Sequence, residues 1–275
     1  IIEMPRTVSQ AEVVETMARG NFHMDLEAIE AAITERTRMI SICNPNNPSG
    51  AVYSREELGG LAELATRHDL YAFSDELYEN LTYDGRRHLS LASLPGMKER
   101  TVTVFAFTKI YGMSGLRIGY LVGPKEIVKG MKEENSRVFI QPSTIDQIAG
   151  SVALAKCDYY VESLKAHLEK VRNHITGKLN EVPMINMSPP EGAFFAFPDL
   201  SPLFQDDENA VVYIRQKAKI QVSGGKGFGK GGERHIRISF CSPWEIVTEA
   251  TARICRALWA RASSITSHEE SSPKA

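Results

Sequence analysis

The sequence predicts an α/β fold with a mostly parallel sheet, followed by a smaller α+β unit. Short β-branched and aromatic runs alternate with helical periodicity up to about residue 123, the pattern of strands joined by crossover helices. A long helical stretch over 158–181 then separates this alternation from a second series of short apolar runs and helices. The 275 residues, 43% hydrophobic and 24% charged, have room for one large globular domain or two modest ones.

The elements follow in order. In "MDLEAIEAAITERT", Asp25 is placed to cap a helix whose apolar Leu26, Ile29, Ala32 and Ile33 recur at helical spacing. "RMISIC" is a short strand that "NPNNPSG" breaks. "SREELGGLAELATRHD" is a helix opened by Ser54, with Glu57 three residues on to complete a capping box. "LYAFSD" and "TVTVFAF" are strands, and helices are expected near 124–137, 143–155 and 158–181. Beyond them, "EGAFFAFPDL", "IQVSGG" and "HIRISFC" read as strands, with helices at 207–219 and 243–261. The domain boundaries expected are 1–157 for the large unit and 158–262 for the small one. The polar residues 263–275 are expected to be a disordered tail.

A net charge of −2 implies no polyanion-binding surface, so no nucleic-acid partner is expected. No apolar run approaches the ~18 residues of a membrane span. Cys43, Cys157, Cys241 and Cys255 form no CxxC, and no histidine sits at ligand spacing from another, so no metal is expected. Such cysteines read as reduced, buried thiols of a cytoplasmic protein. The chain opens on "IIEMPRTVSQ", without an initiator Met or signal-peptide pattern, and reads as a fragment or processed chain whose targeting segment cannot be judged.

Several residues invite a chemical reading. Asp75 closes a strand, and in open α/β sheets ligands sit beyond the strands' carboxyl ends. Taken alone, it reads first as a helix cap or turn residue, and Tyr78 as a half-buried packing aromatic. Asn47 lies in a loop that needs turn chemistry but could also present its amide to a ligand. "GGKGFGKGG" matches GxxxxGK, yet Gly231 stands where a phosphate loop needs Ser or Thr, and a strand rather than a helix follows, so a flexible glycine-rich loop is expected. In "TVTVFAFTKIYGMSGLRIGYLVG", Lys109 and Arg117 are the two cations of an otherwise apolar, small or aromatic stretch without an acid. Lysine is rarely buried unless paired, so taken alone Lys109 reads as a surface lysine at a strand end. In a partly apolar pocket near a second cation it becomes a nucleophile able to form a Schiff base. Arg117 can anchor a phosphate. A lysine, an arginine and a carboxylate of this kind are what a pyridoxal phosphate site requires.

"NPNNPSG", "SDELYENLTYDG", "FTKIYGMSGLRIGY" and "HIRISF", in this order and spacing, resemble the class I/II aminotransferases of the aspartate aminotransferase fold, over nearly the whole chain to about residue 261. The resemblance implies a three-layer α/β/α large domain of the type I pyridoxal phosphate fold, a small C-terminal domain, and pyridoxal 5′-phosphate as cofactor. It implies that Lys109 forms the Schiff base and carries the substrate's Cα proton. It also implies that Asp75 keeps the pyridine nitrogen protonated and that Tyr78 and Asn47 bond the ring's phenolic oxygen. Arg117 would grip the phosphate, and Arg237 the substrate α-carboxylate. Amino acid and 2-oxo acid substrates and a homodimer belong to the same expectation. Ala106 departs from the pattern, since many relatives carry a phosphate-binding Ser three residues before the lysine. The family's long N-terminal segment, with its phosphate cradle and ring-stacking aromatic, is absent from these residues. A lyase of the same fold shares every residue named, and a non-catalytic regulator domain is a further alternative.

Overall fold

Parallel pairing in the first half sets three strand exits side by side. The computed structural model describes residues 11–16, 18–138 and 141–271. Strands β1 (Met39–Cys43), β2 (Tyr71–Asp75) and β3 (Thr101–Ala106) are parallel neighbours, with Cys43 opposite Asp75 and Asp75 opposite Val104. A fourth strand, β4 (Gly119–Val122), closes this sheet antiparallel to β3 and was not anticipated from the sequence. It is short and mostly exposed, so it lacks a run of alternating apolar residues. Its Gly119 is dictated by packing: a Cβ there would lie 2.6 Å from the Phe105 carbonyl oxygen on β3.

The helices before and between these strands are set by their caps. Helix α1 (Leu26–Ala32) starts where Asp25 Oδ1 accepts from the Ala28 N–H at 3.0 Å. Helix α2 (Arg55–Arg67) carries the expected capping box, with the Ser54 side chain accepting from the Glu57 N–H and the Glu57 carboxylate accepting from the Ser54 N–H. Leu58, Leu61, Ala62 and Ala65 of α2 bury against Ala72 of β2 and against Leu91, Leu94 and Met97, forming one of two cores.

A one-turn helix, α3 (Phe107–Ile110), follows β3 and is succeeded by α4 (Lys125–Val138) and α5 (Thr144–Lys156). Helix α6 (Asp158–Asn180) is the long element expected at 158–181. Its Leu168, Val171, Ile175 and Leu179 enter the second core, which also takes in Tyr78, Leu81, Tyr83 and Ile110. Within that core Arg172 is 3% exposed and donates to both Asp84 carboxylate oxygens at 2.7 and 2.8 Å. This bidentate pair ties α6 to the turn after β2 and holds the Asp84 carboxyl below its ordinary range.

The C-terminal part is a three-stranded sheet of order β5 (Phe195–Ala196), β7 (Ile236–Ser239), β6 (Ser223–Gly224), with helices α7 (Asp207–Ala218) and α8 (Trp244–Ser271). The paired stretch of "EGAFFAFPDL" is only two residues long. Ala193 at φ +58 bends the chain before it, and Pro198 cannot donate to a ladder after it. Helix α8 corrects the tail expectation, because it runs to Ser271 rather than ending near 261. Leu258, Ala262 and Ile265 continue its apolar face into the core, which holds the extra turns in place; residues 272–275 lie outside the described residues. The cysteines are all free, but only Cys43 is buried: Cys157 and Cys255 are half-buried and Cys241 is exposed. Burial pushes the Cys43 thiol up to about 12. No helix among the described residues is long and apolar enough to cross a membrane.

The loop after β1 makes one prediction. Gly50 has φ +76, and a Cβ there would meet the Pro190 Cβ at 2.5 Å and the Gly192 carbonyl oxygen at 2.8 Å. Gly50→Ala is expected to destabilise the fold by about 2 kcal/mol or more, from left-handed strain together with a backbone clash. Urea unfolding checks it, and a midpoint equal to the parent's would contradict it.

Candidate active site

The expected site residues leave their elements at the aligned strand ends. Asn47 lies in the loop leaving β1, Asp75 is the last residue of β2, Tyr78 is one turn further, and Lys109 sits on the one-turn helix after β3. Asp75 accepts from the Leu77 N–H at 3.4 Å. Burial pushes its carboxyl above the ordinary range, against the pull of that N–H and of the Lys109 ammonium. Asp75 and Lys109 therefore act on one another electrostatically across the adjoining exits of β2 and β3. Lys109 Nζ stands 5.9 Å from the centre of the Phe194 ring and makes no ion pair among the described residues.

Tyr78 is buried edge-on between Phe194 and Phe195, at centroid distances of 5.3 and 5.6 Å. Burial raises its phenol, the Cys43 and Asp75 charges add to that, and the Arg237 charge opposes it. The phenol is thus held protonated at neutral pH, a donor for an oxygen at the strand ends.

Arg237 comes from the other sheet. It lies on the central strand β7, and its Nη1 donates to Asn47 Oδ1 at 2.8 Å, bridging 190 residues of chain. The guanidinium is sandwiched between Phe195 at 4.7 Å and Phe228 at 4.5 Å. Its Nε is buried without a hydrogen-bond partner among the described residues. Desolvation lowers the Arg237 pKa from its ordinary value. A half-buried guanidinium whose Nε is buried and unused is suited to an anion, since an unpaired buried donor costs about 1–3 kcal/mol.

The structure therefore brings Asn47, Asp75, Tyr78, Lys109 and Arg237 into mutual contact or electrostatic reach. Arg117 is not joined to them by any contact among the described residues. It is exposed, on the loop between α3 and β4, with Nη1 donating to the Ser114 carbonyl at 3.2 Å. Ala106, the position without a hydroxyl, is the last residue of β3.

Sequence reasoning missed the aromatic walls. Phe194 and Phe195 stood in a run read only as a strand, and Phe228 in a loop read only as flexible. That loop has a defined shape: residues Gly225–Phe228 form a 3-10 turn, and the Gly225 and Gly232 backbones approach so closely that a Cβ on either would collide with the other's carbonyl. A strand follows it, as expected, so no phosphate loop is formed. The one available signal was the aromatic in "GKGFGKGG", an apolar side chain in a segment with no other reason to hold one.

Comparison with known proteins places the chain in a family. A family model described as Aminotransferase class I and II matches residues 7–254. The chain is 34% identical over 249 residues to an aspartate aminotransferase of Bacillus subtilis, covering 88% of this chain and 63% of that protein. It is 34% identical over 247 residues to aromatic-amino-acid aminotransferase 2 of Thermococcus litoralis, covering 89% and 63%. Among solved structures, aspartate aminotransferase from Thermus thermophilus with maleate superposes with a TM-score of 0.86 at 34% identity, covering 93% of this chain and 67% of that one. The chain spans about 63% of the length of these curated relatives. Its type I fold is that of these neighbours, and the chain belongs to the class I and II aminotransferases.

Proposed function

We propose that this chain carries the lysine, acid and arginine of a pyridoxal 5′-phosphate-dependent aminotransferase, which moves an amino group between an L-amino acid and a 2-oxo acid. One observation carries the reading. Arg237 reaches from the C-terminal sheet to Asn47 at 2.8 Å, beside the strand ends where Asp75 and Lys109 act on one another. The donor set fits the cofactor: one half-buried carboxylate, one lysine without an ion-pair partner, one buried phenol and one guanidinium with a free donor.

When bound, pyridoxal phosphate supplies a conjugated ring that takes up the electron pair released as the substrate's Cα–H bond breaks. Asp75, partly desolvated, pairs with the ring nitrogen and keeps its proton in place. Tyr78 and Asn47 donate to the ring's phenolic oxygen. Lys109 would take the proton released at the substrate's Cα and hold it for its return. Arg237 holds the α-carboxylate with two parallel hydrogen bonds, fixing the face from which that proton leaves. Arg117, with its guanidinium in solvent, is assigned to the cofactor phosphate. The names of the relatives support aspartate or an aromatic amino acid as substrate. A cytoplasmic homodimer belongs to the same proposal, supported by the free thiols and by exposed Ile145, Ile148 and Val152 along α5.

Borohydride reduction of the cofactor-loaded complete protein, followed by peptide mass spectrometry, tests the assignment. The label is expected on Lys109 alone; a label on Lys125 or Lys129 would sink it. Incubation with 2-oxoglutarate and aspartate, phenylalanine or tyrosine is expected to give glutamate. Release of pyruvate or thiol from cystathionine without amino transfer would favour the lyase instead.

A further inference from the structure

A second polar cluster, built around a fully buried carboxylate, lies under the strand ends, and the site residues above do not use it. The Glu76 side chain has no solvent exposure. Its Oε1 accepts from Ser74 Oγ at 2.8 Å and from Ser90 Oγ at 3.0 Å, and its Oε2 lies 2.8 Å from His88 Nε2. Asn44 completes the chain. Its Nδ2 points at His88 Nδ1 at 3.5 Å and at the Leu89 carbonyl at 3.4 Å, while its Oδ1 accepts from the Tyr53 N–H at 3.1 Å. The imidazole is thus held from both ends, Nε2 against the Glu76 carboxylate and Nδ1 against the Asn44 amide. Glu79 approaches the same group, and burial and the Glu76 charge raise its carboxyl while His88 opposes them. Glu76, Glu79 and His88 could crowd a metal ion, but the three donors on Glu76 already satisfy it.

The backbone connections of this cluster give it a use. Ser74 and Glu76 flank Asp75 on the strand, so their side chains share the face opposite its carboxyl. The Ser74–Glu76 bond therefore clamps the backbone on either side of Asp75. The Asn44 N–H donates to the Asp75 carbonyl at 2.9 Å, three residues before Asn47. The Glu76 N–H donates to the Val104 carbonyl at 3.1 Å, on the strand that leads to Lys109. One network thus joins the exits of β1, β2 and β3.

We propose that Glu76, His88 and Asn44 are positioning residues, a buried lock that holds the three strand exits in register so that Asn47, Asp75 and Lys109 meet the cofactor at fixed places. The proposal rests on the cofactor reading above. Apolar replacement of buried charged groups is often neutral or stabilising, so the use of this carboxylate lies in the geometry it fixes rather than in stability. The Glu76 charge also acts on Asp75, raising its carboxyl and so strengthening its hold on a protonated ring nitrogen.

The test is titration of the complete apoprotein with pyridoxal 5′-phosphate, read by absorbance, for wild type, Glu76→Ala, Glu76→Gln, Ser90→Ala and Leu61→Ala. Leu61 is fully buried under α2 in the other core, so its truncation lowers thermal stability without touching the lock. Glu76→Ala is expected to weaken cofactor affinity at least about ten-fold, as small misplacements of binding groups do. Glu76→Gln, whose amide oxygen still accepts from the serines, is expected to recover most of that loss. Ser90→Ala, which removes one donor and should fold, is expected to lose about three-fold. Leu61→Ala is expected to keep wild-type affinity at a comparable drop in Tm. Equal losses in Leu61→Ala and Glu76→Ala would overturn the proposal. So would wild-type affinity in Ser90→Ala together with Glu76→Ala, or with Glu76→Ala unfolded. Failure of the wild type itself to bind would instead overturn the cofactor reading on which it rests.

Discussion

Lys109→Ala, made in the complete protein, is expected to lower kcat at least about a thousand-fold, the range of a lost general acid–base and covalent group. Lys109 makes no ion pair among the described residues, and its ammonium faces the Phe194 ring rather than a carboxylate. Its removal breaks no ion pair and leaves no cavity in either core, so it should change Tm by less than a core truncation. The variant is expected to bind pyridoxal phosphate still, through Asp75 and Arg117, but without the absorbance of the covalently held cofactor. Steady-state kinetics and the spectrum together check this. Full activity in Lys109→Ala would place the proton transfer on another group.

Arg237→Lys is expected to lower kcat/KM for amino acids by about a hundred-fold, from the loss of a bidentate, desolvated carboxylate pair. The absorbance of the bound cofactor should not change. Arginine is held flat between Phe195 and Phe228 and has one hydrogen bond, to Asn47. A lysine in that slot cannot stack on both rings and bind a carboxylate through two parallel donors. The effect should fall on every amino acid substrate alike, because the α-carboxylate is common to them. Unchanged kinetics across several amino acids would remove Arg237 from the substrate site.

Local chemistry made much of the fold legible. The Asp25 cap and the Ser54–Glu57 box are interactions within three residues, and both formed as read. The helices at 124–137, 143–155 and 158–181 were marked by apolar spacing along one element. What escaped depends on distant partners. Strand β4 exists because Gly119 can press against Phe105, a pairing that no local pattern announces. The continuation of α8 to Ser271 depends on a core offered to Ala262 and Ile265. In the site, Lys109 and Asp75 could be picked out because a cation after a strand and an acid at a strand end each conflict with simple burial. The Arg237–Asn47 bond could not, because it joins residues 190 positions apart. Glu76 and His88 were equally hidden: each alone reads as an ordinary polar residue beside a turn.

The core that receives Tyr78, Leu81 and Tyr83 is built largely from α6, the C-terminal strands and α8. Synthesis order gives this a consequence. A chain leaving the ribosome can pair β1 with β2 and β3 and cover them with α2 as soon as those residues emerge. The segment just after Asp75 must wait for Ile254 and Leu258, about 175 residues later. At about 5–20 residues per second, that wait is on the order of ten seconds. The nascent chain therefore has its sheet before it has its cleft, and the cofactor can be captured firmly only once α8 has been made.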